Sequence, residues 1–96
     1  MGSENNETRK IKRFEIEVEK VNGYCTYSYK EGDTFIFNGF DTPNGFCGGA
    51  YTTLFPIIVA LHSGARFNFE KNPLCKTKMA CPDNGNVIFK IRLMDE

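Results

Sequence analysis

From Phe14 to Glu19 the chain reads Phe-Glu-Ile-Glu-Val-Glu, an apolar residue alternating with a glutamate at every step. Successive side chains of a strand point to opposite faces, so a period of two dictates a strand with one dry face and one charged, wet face. Such a strand belongs in an antiparallel sheet covered on one side, because parallel sheets bury both faces. The same alternation returns from Val87 to Met94, where Phe89, Ile91 and Leu93 interleave with Lys90 and Arg92. A shorter strand, Thr34 to Asn38, sets Phe35 and Phe37 on one side, between Glu31-Gly32-Asp33 and Asn38-Gly39. Lys76 to Cys81 reads as a fourth, with Thr77, Met79 and Cys81 sharing a face. The turn Pro82-Asp83-Asn84-Gly85 joins it to the last strand as a hairpin. In the first strand the phase breaks at Lys20-Val21, and Asn22-Gly23 marks a turn or bulge.

One helix is expected to cover this sheet, from about Gly48 to Ser63, with Gly64 as an αL stop. Tyr51, Leu54, Phe55, Ile58 and Leu61 follow a 3.6-residue period. Ile57, Val59 and Ala60 make the second half apolar nearly all round, the pattern of a helix covered on several sides or meeting another subunit. Pro56 lacks the backbone donor and clashes with the preceding turn, which predicts a kink there or a division into two short helices. Asp41 to Gly49, with Pro43 and three glycines, reads as loop. In the connection from Ala65 to Leu74, Phe67 and Phe69 are expected to pack onto the core. The fold class is α+β, in the order β-β-α-β-β: a small, mostly antiparallel sheet of about four strands with one Pro-kinked helix.

Ninety-six residues make one domain. It is assigned to residues 9–96, with 1–8 a disordered tail or, from its Met-Gly-Ser start, an expression-vector remnant. Twelve basic and twelve acidic residues cancel, so no long-range field steers the chain onto nucleic acid or an anionic membrane. The basic cluster Arg9, Lys10, Lys12 and Arg13 runs straight into Glu15, Glu17 and Glu19 and reads as a solvated strand edge. The longest apolar run, Leu54 to Leu61, has eight residues and includes Pro56, against the roughly 20 of a membrane-spanning helix. The polar, acidic amino terminus carries no secretory pattern, so a cytoplasmic, reducing environment is expected. The four cysteines are then thiols or metal ligands and not a disulfide framework. Self-association, by default as an isologous dimer, is expected from the apolar helix and the thin stability margin of a small chain.

Cys47-Gly48-Gly49-Ala50 is the sharpest local feature. A thiol at a helix N-terminus faces unpaired N–H groups and the positive end of the helix dipole, which favours the thiolate. Gly48 and Gly49 leave those amides uncovered, making them candidate ligand-binding positions for a small anion. The plainer alternative gives the glycines backbone freedom and makes Cys47 a small buried hydrophobe. Cys25 and Cys81 also fall at element ends. With Cys47, and with Cys75 as a fourth, they are candidate ligands for zinc or an iron–sulfur cluster, although separations of 22, 28 and 6 positions include no Cys-x-x-Cys knuckle. His62, the only histidine, suits the negative end of the helix dipole and is alternatively a general base for a thiol. Asp33 and Asp83 read as turn-capping residues, with Asp33 alternatively orienting a ligand. No Walker loop, Gly-x-Ser-x-Gly elbow, His-Glu-x-x-His or dinucleotide fingerprint is present.

Taken in order, Cys25, Tyr29-Lys30-Glu31-Gly32-Asp33-Thr34-Phe35, Gly45-Phe46-Cys47 entering a helix with Leu54-Phe55-Pro56, and Ala80-Cys81-Pro82-Asp83 form a recognisable series. From about Lys10 to Leu93 the chain resembles a family of small, uncharacterised proteins of bacteria and archaea. The resemblance implies that Cys25, Cys47 and Cys81 are the family's cysteines and that Cys75 is an extra, leaving a three-thiol site completed by another group or a neighbouring subunit. The chain departs from the family's pattern at Tyr29, where a His often precedes the Lys, and at Gly48, where a Pro often follows the Cys. The missing His counts against a metal site of shared geometry. The family brings no established activity.

Three functional readings follow. The leading one is a binding or accessory module with a cysteine-lined site of Cys25, Cys47 and Cys81 near the helix N-terminus, taking a metal ion, a cluster or a small anion. The second is a thiol redox protein or enzyme with Cys47 as nucleophile and Cys25 or Cys81 as resolving partner. The third is a structural homo-oligomer without site chemistry.

Overall fold

The glutamate-interleaved segment forms β1 (Arg13–Val21), and its dry face is sealed: Phe14, Ile16 and Val18 are buried while the three glutamates between and after them stay half-buried. The computed structural model describes residues 11–25, 27–39, 41, 45–82 and 84–95. In it β1 pairs antiparallel with β2 (Thr34–Asn38) on one side and with β4 (Val87–Leu93) on the other. Beyond β4, β3 (Cys75–Ala80) completes a four-stranded antiparallel sheet of order β2-β1-β4-β3. The helix α1 (Gly48–His62) follows β2 in the chain and precedes β3. Among the described residues the fold is therefore α+β, with one helix on one face of the sheet. The spatial order has a simple cause. The two strands with the most complete apolar alternation, β1 and β4, take the centre, where the helix hides their dry faces.

Phe14, Ile16, Val18 and Phe37 meet Val87, Phe89, Ile91 and Leu93 in the sheet, and Ala50, Leu54, Ile58 and Leu61 close the core from α1. Those four helix positions, spaced by four, four and three, make one stripe. The stripe is rotated from the expected one: Tyr51 and Phe55 are half-buried at its side, while Pro56 and Val59 face outwards. Among the described residues one face of α1 is fully buried. At its end Ser63 N–H donates to the Val59 carbonyl, Ala65 N–H donates to the Ala60 carbonyl, and Gly64 takes a φ of +105°. That is a glycine-terminated helix stop.

Two bulges flank β4. The β1 register slips between Val18 and Lys20, where the sequence loses its alternation, and the β3 register slips between Lys76 and Met79. The second slip overturns the expected face of β3. Met79 opposes Phe89 on the core side, but Thr77 turns to the Glu70 carboxylate, its N–H donating over 3.1 Å. Lys78 takes a φ of +60°, and its N–H donates to Glu19 Oε1 at 2.9 Å, so a side chain from one bulge satisfies the backbone of the other. The connection from helix to β3 also departs from expectation. Phe67 packs against the core, but Phe69 is 76% exposed, lying 5.8 Å from the Lys76 ammonium.

The wet face of the sheet carries cross-strand ion pairs, Glu15 with Arg92 at 3.1 Å and Glu17 with Lys90 at 3.4 Å. Arg13 of the basic cluster is held by Asp95 at 2.9 Å. Arg9, Lys10, Asp83 and the expected tail at 1–8 lie outside the described residues. Among the described residues no helix is long and apolar enough to cross a membrane.

Candidate functional site

Three chain segments meet where α1 begins. The first is the loop after β1, which carries Cys25 and is tightened by a turn in which Ser28 N–H donates to the Cys25 carbonyl at 3.0 Å. The second is the helix start, with Cys47 in an extended conformation at the N-cap (φ −65°, ψ 121°). The third is the β3–β4 turn, where Cys81 N–H donates to the Val87 carbonyl and the Cys81 carbonyl accepts from Gly85 N–H. Cys25, Cys47 and Cys81 are all half-buried, and none of the four cysteines is in a disulfide.

The three cysteines line one cavity of about 60 Å³. Tyr24, Tyr27 and Tyr29 share its wall, and Ala50, Val87 and Phe89 belong to the core beneath. A volume of this order admits a few waters or the small head of a ligand. Tyr24, 74% exposed, and Tyr27, 47% exposed, form the rim. Tyr29 is the internal strut. Its ring packs on Phe35, Phe46 and Phe89 with centroids 5.4, 5.5 and 6.0 Å away. Its hydroxyl oxygen accepts the Cys47 N–H at 2.8 Å, which fixes the start of α1 against the sheet. Burial pushes the Tyr29 phenol above its ordinary pKa; the Cys47 N–H opposes the shift, and negative charge at Cys47 and Cys25 adds to it.

The residues singled out in the sequence divide clearly. Cys25, Cys47 and Cys81 share the cavity. Gly48 and Gly49 do not: both are exposed, and the helix start contributes Cys47 and Ala50 to the wall. A Cβ on Gly48 would meet nothing within 4 Å, and one on Gly49 would make ordinary contact with Pro82 at 3.6 Å. Neither glycine is required by the backbone, and no cationic side chain stands among the described lining residues to hold an anion in the cavity.

A zinc ion needs sulfurs at about 2.3 Å in tetrahedral array. Among the described residues no group of three or more His, Cys, Asp and Glu side chains is arranged to hold a metal ion. Cys25, Cys47 and Cys81 share the cavity wall without forming such a group in this arrangement.

Cys75 is no fourth member. It opens the strand that Cys81 follows, and six residues of strand rise put them roughly 20 Å apart. Cys75 is buried against the wet face beside a groove lined by Glu70, Thr77 and Lys90. Burial raises its pKa, with Lys90 and Arg92 acting in the opposite direction. His62 lies a whole helix from Cys47, roughly 20 Å along the axis, with Nε2 3.4 Å from the Lys12 N–H and its ring stacked on Phe14. It is not placed to serve Cys47 as a base. Asp33 has the expected turn role, its carboxylate accepting from Lys30 N–H at 2.8 Å.

Sequence reasoning missed the tyrosines. Tyr24-Cys25-Thr26-Tyr27-Ser28-Tyr29 sets three aromatic rings around one cysteine in six residues, a density that marks a wall and not a plain turn. No protein-family model, no curated protein and no solved structure matches the chain.

Proposed function

We propose that this domain is a small binding module whose site is the thiol- and tyrosine-lined cavity at the start of α1. The ligand class is a small, uncharged, aromatic or apolar group that meets soft sulfur and phenol surfaces. The observation that carries this reading is the composition of the wall: Cys25, Cys47 and Cys81 with Tyr24, Tyr27 and Tyr29, and no charged side chain among the described lining residues. Such a wall gives dispersion and aromatic contact to a neutral ring and offers nothing to offset the desolvation of an ion. The reading includes a bend at Pro56, whose missing N–H leaves the Thr52 carbonyl without its helical partner and lets the turns bearing Cys47 and Ala50 settle on the cavity.

The test is thiol reactivity in the native protein, followed residue by residue by peptide mass mapping. N-phenylmaleimide and iodoacetate are compared, each normalised to its rate with free cysteine. The expected result is a preference of about tenfold or more for the neutral aromatic reagent at Cys25, Cys47 and Cys81, equivalent to about 1.4 kcal/mol. Equal normalised rates for the two reagents at those cysteines would remove the proposed ligand class.

A further inference from the structure

The two edges of the sheet are built differently, and the difference points to a partner. An exposed strand edge is a template for pairing with another chain, and proteins blunt such edges with charge, proline, bulges or a covering segment. The β3 edge is blunted. It bulges between Lys76 and Met79, Glu70 reaches over to take the Thr77 N–H and hydroxyl, and Glu19 takes the Lys78 N–H. Among the described residues the β2 edge lacks these devices: Thr34-Phe35-Ile36-Phe37-Asn38 contains no charge and no proline, and its register with β1 is unbroken.

The hydrogen-bonding phase of β2 follows from its ends. Val18 N–H donates to the Asp33 carbonyl at 2.8 Å and Gly39 N–H to the Lys12 carbonyl at 2.7 Å. In an antiparallel ladder such pairs recur at every second residue, so Phe35 and Phe37 also aim their backbone groups at β1. Thr34, Ile36 and Asn38 aim theirs away from the sheet, where the Asn38 carbonyl accepts Asp41 N–H at 3.0 Å, and Thr34, Ile36 and Asn38 are exposed, Ile36 at 54%.

We infer that β2 pairs with β2 of a second copy of this chain, antiparallel, across a two-fold axis at Ile36. Self-recognition is written into the strand: Phe35-Ile36-Phe37 reads the same in both directions. An isologous antiparallel contact therefore sets Ile36 against Ile36 and each phenylalanine against its counterpart, with Thr34 opposite Asn38. The Ile36 N–H of each copy donates to the Ile36 carbonyl of the other. No charge meets its own image at the axis. The sheet then continues through both copies, and the cavity reading neither requires nor forbids it.

The test is the mass of the full chain by sedimentation, over a concentration series, for wild type, Ile36→Lys and Val59→Lys. Ile36 and Val59 are both exposed apolar positions, on β2 and on the outer side of α1. The wild type is expected to reach twice its 10.9 kDa mass at high concentration. Ile36→Lys, which sets two ammonium groups face to face, is expected to weaken association at least about tenfold, and Val59→Lys to leave it unchanged. Amide exchange on the wild type gives an independent readout: Ile36 is protected in the dimer and loses protection on dilution, while Phe35 and Phe37 stay protected throughout. A wild type that stays monomeric at every concentration overturns the inference. So does a dimer in which the Ile36 amide exchanges freely, or one that Val59→Lys dissociates and Ile36→Lys does not.

Discussion

Replacing Phe89 with alanine is expected to lower the unfolding free energy by about 3–5 kcal/mol, the range for truncating a buried aromatic side chain. Phe89 is 1% exposed on the central strand β4. It sits opposite Val18 in β1 and Met79 in β3, and its ring meets those of Tyr29 and Phe46 at 6.0 and 5.9 Å. The truncation removes apolar area from the middle of the core and opens the floor of the cavity. A domain of this size holds on the order of 5–10 kcal/mol in all, so the variant is expected to be partly unfolded at 37 °C. Urea unfolding followed by far-ultraviolet circular dichroism checks this. Phe69→Ala, at a ring that is 76% exposed, is the matched control and is expected to change the midpoint little.

Tyr29→Phe is the second large effect, and it joins the fold to the site. The ring packing survives, but the Cys47 N–H loses the phenolic oxygen that accepts it at 2.8 Å. Leaving a half-buried donor without its partner costs about 1–2 kcal/mol. The same substitution changes the response to alkali. Burial raises the Tyr29 pKa above the ordinary 10.0, so the neutral phenol is the form the fold prefers. Below pH 10 the group is protonated in both folded and unfolded chains, and its contribution is fully present. As pH rises through 10 the unfolded phenol ionises first, and stability falls until the folded group titrates as well. Tyr51, also raised chiefly by burial, acts in the same direction and remains in the variant. The alkaline loss is therefore expected to be shallower in Tyr29→Phe than in wild type, measured as unfolding midpoints from pH 8 to pH 11. Tyr24→Phe, at an exposed rim residue, is expected to leave the midpoint at neutral pH unchanged.

The parts of the fold legible in the sequence are those where one-sided burial imposes a period. Phe14, Ile16 and Val18, and Phe89, Ile91 and Leu93, mark β1 and β4 because each glutamate, lysine or arginine between them must face water. Leu54, Ile58 and Leu61 mark the helix for the same reason. The face of β3 was not legible. A single inserted residue between Lys76 and Met79 reverses every side chain beyond it, and nothing in the composition of that segment announces the insertion. Apolarity alone points Phe69 to the core, but its ring stays exposed and meets the Lys76 ammonium.

The site was legible in its parts and not in its assembly. Cys25, Cys47 and Cys81 stand out as residues at element ends, yet their meeting depends on the sheet order, which sets the β3–β4 turn beside the start of α1. Cys75 looks equivalent on a list of cysteines and is not, because strand rise carries it to the far end of β3. Tyr29 stayed hidden for a different reason. Its role comes from a backbone N–H eighteen positions along the chain, and no local pattern encodes such a partner.

The central claim is that three cysteines from distant segments open into one small cavity. Intact-mass analysis of the native chain during reaction with N-phenylmaleimide tests it most directly, with peptide mapping of each product. In a cavity of about 60 Å³ the first adduct fills the space the others need. One adduct per chain is therefore expected, distributed over Cys25, Cys47 and Cys81, with the second slowed at least about tenfold and Cys75 unmodified. Chains that acquire two or three adducts among Cys25, Cys47 and Cys81 while still folded, each as fast as the first, would contradict the claim.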